Sequence, residues 1–352
     1  MKSFSIATII LSGEMTRRLG ACLSNDRRSE GDPQRADCGD RFPRIAGLYV
    51  RETIAGICRW GAAAVGDHYS DRLLALALVL LLSGCASALS LLANGPTQLD
   101  RIERHADLAY GKDPRQRLDV YSPRQAMNRP VVVFWYGGSW VQGKKSQYRF
   151  VGTTLAERGI VTVIPDYRLY PQVHFPAFDE DGARAVAWVE QHVQEFGGDP
   201  HHIVLMGHSA GGHTAAFLAF NHAFLQKFGA DPEDISGLVG LSGAYVLVPE
   251  SDEERATFPP PYTPKDWQPI RFVDAQAPPT LLLHGGDDEE VLPQKAIELR
   301  DEMLRQHLRV ELHIYRHRGH GDTIVPFAPL ARWRSPAVKD AVAFIEDVTR
   351  SR

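Results

Sequence analysis

The sequence predicts an α/β fold, a mainly parallel, doubly wound sheet with helices on both faces. From about Arg101 onward, apolar runs of strand length alternate with amphipathic segments of helix length. The strongest run, Val131-Val132-Val133-Phe134-Trp135, is continuous rather than alternating, as a strand covered on both faces requires. At 352 residues the chain has room for one large α/β domain or two smaller ones.

Taken in order, residues 117–121 read as an edge strand and 130–136 as a buried one. Residues 148–158 read as a helix, followed by a buried strand over 160–164 that Pro165 ends. A helix over 177–196 stops at Gly197-Gly198, and Asp199-Pro200 adds a turn signal. Residues 203–206 form the next strand and 214–220 an apolar helix. Further strands are expected at 238–241, 280–283 and 310–315, with helices at 294–306 and 337–348. Residues 248–277 break the alternation, being proline-rich at Pro259-Pro260-Pro261 and acidic from Glu250 to Glu254. They read as a lid-like pocket wall or as a plain surface loop.

The folded domain is therefore 101–352, and the chain before it has another character. An unbroken apolar run from Leu73 to Leu82 follows Arg72 and precedes Ser83-Gly84-Cys85. A positive flank, a short apolar core and small residues match a secretory signal over 72–85. Leu82-Ser83-Gly84-Cys85 resembles the lipobox of bacterial lipoproteins, which implies lipidation at Cys85. The competing reading is a transmembrane helix, because no charge occurs from Leu73 to Ala93. Either anchor puts the domain on the membrane of a bacterial cell envelope, facing the periplasm or the exterior. Residues 1–71, rich in Arg, Gly, Ser and Asp, are expected to be disordered or to come from a start site assigned too far upstream. Residues 86–100, with Asn94-Gly95-Pro96, serve as a linker.

Composition excludes some functions. A net charge of −4 and the lack of a basic run give no support to nucleic-acid binding. All four cysteines (Cys22, Cys38, Cys58 and Cys85) precede the domain, so it has no internal disulfide and no cysteine metal ligand. No cofactor and no metal are expected.

The chemistry is concentrated in Gly207-His208-Ser209-Ala210-Gly211, between the apolar strand and the apolar helix. G-x-S-x-G in that setting is the nucleophile-elbow pattern, a turn so tight that only small residues fit two positions either side of the serine. A serine hydroxyl is a weak nucleophile at neutral pH; it needs a base, and the base needs an anion to fix its tautomer. Candidates follow at two later strand ends. One strand runs into His284-Gly285-Gly286-Asp287-Asp288, the other into Arg316-His317-Arg318-Gly319-His320-Gly321.

From about Arg101 to the C-terminus the chain resembles the α/β-hydrolase superfamily, especially serine esterases of the hormone-sensitive-lipase-like and kynurenine-formamidase-like branches. The resemblance implies the acid four residues after the strand-end histidine of H-G-x-x-D, which is Asp288, and the base in a late G-H pair, which is His320. Asp287 competes with Asp288; His317 and His313 compete with His320, His313 lying inside a strand and His317 lacking glycine neighbours. Tyr136-Gly137-Gly138-Ser139-Trp140 matches the family's H-G-G-x-W, which implies oxyanion donors at the amides of Gly138 and Ser139, beside that of Ala210. Here the chain departs from the family: a tyrosine stands where the usual histidine is, which bears on loop shape more than on chemistry.

Other residues carry blander expectations. Asp166-Tyr167-Arg168-Leu169 recurs in this branch and reads as a structural ion pair fixing a loop rather than a charged-substrate site. His208 should point away from the site and pack; His201-His202 lacks ligand-spaced partners for a metal. Trp140 either lines an acyl pocket or packs beneath the oxyanion loop. The expected function is a serine hydrolase acting on small-molecule carboxylic esters with short acyl groups. Amide or formamide hydrolysis and acyl transfer use the same groups. A non-catalytic binding domain is the rival from another class, and such relatives usually lack one of the residues present here.

Overall fold

The computed structural model describes residues 101–249 and 251–350. The signal over 72–85, Cys85, the alternative membrane span and the character of residues 1–71 all lie outside the described residues. Among the described residues no helix is long and apolar enough to cross a membrane.

Eight strands form one sheet in the order β1-β2-β4-β3-β5-β6-β7-β8. They are β1 (Ile102–Ala109), β2 (Arg117–Pro123), β3 (Arg129–Trp135), β4 (Val161–Pro165), β5 (Gly198–His208), β6 (Ile235–Leu241), β7 (Thr280–Gly285) and β8 (Val310–Tyr315). The β1–β2 and β2–β4 pairs are antiparallel, and every pair from β4 to β8 is parallel. The doubly wound expectation holds, with one correction at the edge. Residues 117–121 are not an edge strand: β1 covers them on one side and β4 on the other. Ile102–Ala109 is mostly exposed and rich in charge, which is how sheet edges avoid pairing with other chains, and it left no hydrophobic signal to read.

Parallel strands need crossover helices. These are α1 (Arg149–Ala156), α2 (Ala177–His192), α3 (Ala210–Phe220), α4 (His222–Lys227), α5 (Asp252–Thr257), α6 (Pro264–Trp267), α7 (Gln294–Arg305) and α8 (Ala337–Val348). Helix α3 is buried along its whole length, packed on β5, β6 and α2. The long helix expected over 177–196 ends one turn early, its last four residues tightening to a 3-10 turn that Gly197 closes at φ 81°. Asp199-Pro200 is no turn; it already lies in β5, where Asp199 holds the His202 ring at 2.9 Å.

The register fixes where function can sit. Trp135 of β3 pairs with Gly207 of β5, and His208 of β5 with Leu241 of β6. The loops that leave β3, β5, β7 and β8 therefore emerge at the same carboxyl edge of the sheet, where open α/β sheets place their sites.

Candidate active site

Ser209 stands between β5 and α3 with φ 57° and ψ −123°, a strained conformation for a residue with a side chain that costs about 1–3 kcal/mol. Two backbone hydrogen bonds hold it there, Ser209 N–H to the Leu241 carbonyl at 3.0 Å and His213 N–H to the Ser209 carbonyl at 3.1 Å. The flanking glycines are steric requirements. A Cβ on Gly207 would stand 2.0 Å from the Gly211 carbonyl oxygen, and one on Gly211 would stand 2.1 Å from that of Trp135. Backbone cannot retreat there without displacing β3. Gly211→Ala should therefore cost at least about 1–3 kcal/mol, lowering the thermal midpoint by several degrees. Thermal melts would show the loss of stability, and an unchanged midpoint would refute the steric reading.

The loop after β3 lies directly against this turn. A Cβ on Gly137 would come 2.8 Å from Ser209 Cβ. Gly138 has φ 123°, where no residue with a side chain sits comfortably, and its carbonyl accepts from the amides of Val141 at 3.0 Å and Gln142 at 3.1 Å. Ser139 and Trp140 follow at φ 52° and 60°. The third expected donor, Ala210 N–H, opens α3, where first-turn amides lack intrahelical acceptors and the helix dipole is positive.

Tyr136 supports this loop in the family histidine's place. Its ring stacks between Tyr148 at 5.4 Å and Tyr167 at 4.8 Å. Its hydroxyl donates to Asp166 at 2.6 Å and accepts from Arg115 at 3.0 Å. The expected Asp166–Arg168 pair does not form. Asp166 serves Tyr136, the Lys145 amide and Arg115, while Arg168 grips the fully buried Asp181 through two nitrogens at 2.7 and 2.8 Å. Both residues remain structural, each with a partner distant in sequence.

Asp288 and His320, from the loops after β7 and β8, meet beside His208, the residue before Ser209. His320 Nδ1 and Asp288 Oδ2 are 2.8 Å apart, both side chains nearly inaccessible. Asp288 Oδ1 accepts from the amides of Glu290 at 3.0 Å and Val291 at 2.9 Å. Burial alone would raise the Asp288 pKa, but hydrogen bonds from His284 and His320 outweigh it and hold the carboxyl well below the usual range. Burial likewise pushes His320 down; the Asp288 hydrogen bond and charge overcome this and raise it above the ordinary imidazole value. Because Nδ1 faces a carboxylate it carries the proton, leaving an Nε2 lone pair able to accept one. The hydrogen bond from Ser209 Oγ to Nε2 is not formed in this structure; such bonds often tighten only with substrate bound. A base must be neutral to work, so kcat/KM should fall on acidification with its midpoint above the ordinary imidazole value. A pH–rate profile checks this, and a midpoint below that value would contradict the ionic pairing.

The rival residues separate cleanly. Asp287 and His317 pair with each other 3.6 Å apart, both largely in solvent, and His313 bonds Asp340 at 3.0 Å. His208 does not point away as expected. Its ring lies 4.7 Å from that of His320 and its Nε2 meets the His320 carbonyl at 3.2 Å. Burial and the His320 charge hold its pKa down to about 3, so it stays neutral. His201 and His202 each bond a single carboxylate, Asp234 at 2.7 Å and Asp199 at 2.9 Å. Trp140 packs: it stacks on Phe178 at 5.6 Å and meets Phe258 edge-on at 4.9 Å.

Two supports escaped the sequence reading. His284 is fully buried, and its Nε2 proton is shared between the Val291 carbonyl at 2.8 Å and Asp288 Oδ2 at 3.2 Å, tying the acid to the loop that presents it. Its place in H-G-x-x-D was visible, but its use was not. Thr323 joins the His320 turn to the end of β6 through Ser242 at 3.1 Å.

Comparison with known proteins agrees with this architecture. The BD-FAE family model matches residues 118–238 and the prolyl oligopeptidase family model residues 179–348. A probable isoprenylcysteine alpha-carbonyl methylesterase of Arabidopsis thaliana is 32% identical over 288 residues, covering 74% of this chain and 67% of its own. An esterase of Mycobacterium tuberculosis is 32% identical over 267 residues, covering 69% and 65%. Among solved structures, a thermophilic esterase of Thermogutta terrifontis with propionate bound is 26% identical with a TM-score of 0.59, covering 72% of this chain and 96% of that one. Esterase B of Lactobacillus rhamnosis shares the fold at a TM-score of 0.64 and 18% identity, covering 78% and 96%. The chain belongs to the α/β-hydrolase family of serine esterases, the carboxylic ester hydrolases.

Proposed function

We propose that the protein hydrolyses carboxylic esters with short acyl groups through an acyl-enzyme on Ser209. The observation that carries this is the buried Asp288–His320 hydrogen bond, set against the residue that precedes the strained serine. Ser209 Oγ attacks the ester carbonyl carbon while His320 Nε2 takes its proton. The negative charge that develops on the carbonyl oxygen is held by the amides of Gly138, Ser139 and Ala210. Collapse breaks the C–O bond, the His320 proton goes to the departing alkoxide, and the acyl group remains on Ser209. Water, deprotonated by His320, then attacks the acyl-enzyme and releases the carboxylic acid.

The preference for short acyl groups rests on aromatic packing beside the oxyanion loop. The segment 248–277, expected to be irregular, folds as α5, α6 and a 3-10 turn over Pro269–Phe272. Ser251 and Glu254 cap α5 reciprocally at 3.1 Å, which the acidic run concealed. This segment delivers Phe258 and Trp267, both nearly buried, against Trp140 and Phe175. On this reading those rings, packed on the oxyanion loop through Trp140, limit the room for a longer acyl chain, and the segment is a pocket wall rather than a plain loop. Phe258→Ala should shift the optimum of a p-nitrophenyl ester series toward longer chains by two or more carbons, of order one phenyl ring's depth. The same series tests the function itself, with the p-nitroanilide of the best acyl group included to measure amide against ester. No turnover of any ester would refute the proposal; faster turnover of the anilide would favour an amidase.

The anchor is a separate proposal: Cys85 is lipidated and holds the domain on the envelope membrane. Labelling with radioactive palmitate should mark the wild type and not Cys85→Ala. Equal labelling would contradict it.

A further inference from the structure

Beyond the catalytic centre, the loop that carries His320 also builds a cationic surface with exposed apolar tips. Two adjoining hollows, about 500 and 650 Å³, share Arg332, Ser335 and Pro336. Around them stand Arg158, Arg316, Arg318, Arg332, Arg334 and Lys339, a local excess of positive charge on a chain whose net charge is −4. Arg332 and Arg334 are held by Glu157 and Asp322. Arg316 is exposed, and among the described residues the Arg318 guanidinium donates only to the carbonyl of His317, so both have capacity for an external anion. Leu330 and Trp333 rise from the same surface, 72% and 74% exposed, with the Arg334 guanidinium against the Trp333 ring at 5.5 Å.

We propose that this surface docks on an anionic lipid bilayer, with Arg316 and Arg318 on phosphate groups and Leu330 and Trp333 entering the interfacial layer. Charge and apolarity argue for the same occupant. A soluble anion would use the arginines but leave both apolar side chains in water. An apolar protein partner would use Leu330 and Trp333 but leave two unpaired arginines at its border. A bilayer surface satisfies both, since guanidinium forks phosphate oxygens and tryptophan prefers the headgroup level. Arg316 and Arg318 begin the loop after β8 that continues to His320, so docking there would bring the sheet's carboxyl edge close to the membrane. This inference does not depend on the esterase reading.

The test is flotation of the full chain with vesicles of phosphatidylcholine alone or mixed with phosphatidylglycerol, at low and high salt. The wild type should prefer the anionic vesicles, and high salt should weaken that preference. The double variant R316E/R318E should lose at least about twentyfold in partition to anionic vesicles, roughly fivefold per arginine removed. Trp333→Ser should weaken binding to both vesicle types. Equal, salt-insensitive binding by wild type and R316E/R318E would overturn the proposal, because it would leave all attachment to the apolar segment at Leu73 to Leu82. Hydrolysis of a soluble ester, measured in parallel, should be unchanged in these variants, which shows that they are folded. A wild type that floats but hydrolyses nothing would count against the esterase reading alone.

Discussion

Ser209→Ala should lower kcat/KM for a short-chain p-nitrophenyl ester by about ten-thousandfold or more while leaving the fold intact. The expectation of an intact fold is specific. The elbow is held by backbone hydrogen bonds to Leu241 and His213 and by the close approach of Gly207 to Gly211 and of Gly211 to Trp135, none of which involves the hydroxyl. Alanine keeps the Cβ that the turn accommodates, so the melting temperature should move little, or rise slightly as the serine's polar atom leaves a half-buried position. Residual activity should come from the oxyanion amides and substrate binding alone. A variant with near wild-type rate would mean that hydrolysis occurs elsewhere on the protein.

Asp288→Asn is expected to cost about a thousandfold or more in kcat for a different reason. The asparagine carbonyl can still accept from the amides of Glu290 and Val291, so the loop should keep its shape. Its amide group would donate toward His320 Nδ1, forcing the imidazole into the tautomer whose Nε2 bears a proton and cannot act as a base. The influence that raises His320 also disappears while burial, which lowers it, remains. Residual activity should therefore show its acid limb at lower pH than the wild type. Kinetics over a pH series, with a melt as control, separates this from simple unfolding. Asp287→Asn, at the exposed neighbour, should change neither quantity.

Much of this site was legible because each of its parts is a local pattern with a steric or chemical cause. Gly207, Ser209 and Gly211 announce a tight turn, hydrophobic period and chain order point to the two later strand ends, and the family resemblance picks Asp288 and His320 there. The resemblance to H-G-x-x-D singled out Asp288 over Asp287, and the structure pairs Asp288 with His320 while Asp287 faces solvent beside His317. What stayed illegible depends on contacts between distant segments. Tyr136 replaces a histidine without loss of support because Asp166, Arg115 and two other tyrosines converge on it, and no local pattern encodes that meeting. His208 was expected to face away and instead packs on His320, 112 residues later in the chain. Strand β1 was missed because an exposed, charged edge strand buries too little to leave a hydrophobic period.

The claim on which the mechanism rests is that Ser209 is the nucleophile, activated by the His320–Asp288 pair. Stoichiometric labelling with an alkyl fluorophosphonate, followed by intact mass and peptide mapping, tests it most directly. One adduct should form per chain, on the peptide carrying Ser209, slowly in Asp288→Asn and not at all in Ser209→Ala. An adduct on any other residue, or labelling of Ser209→Ala at the wild-type rate, would contradict it.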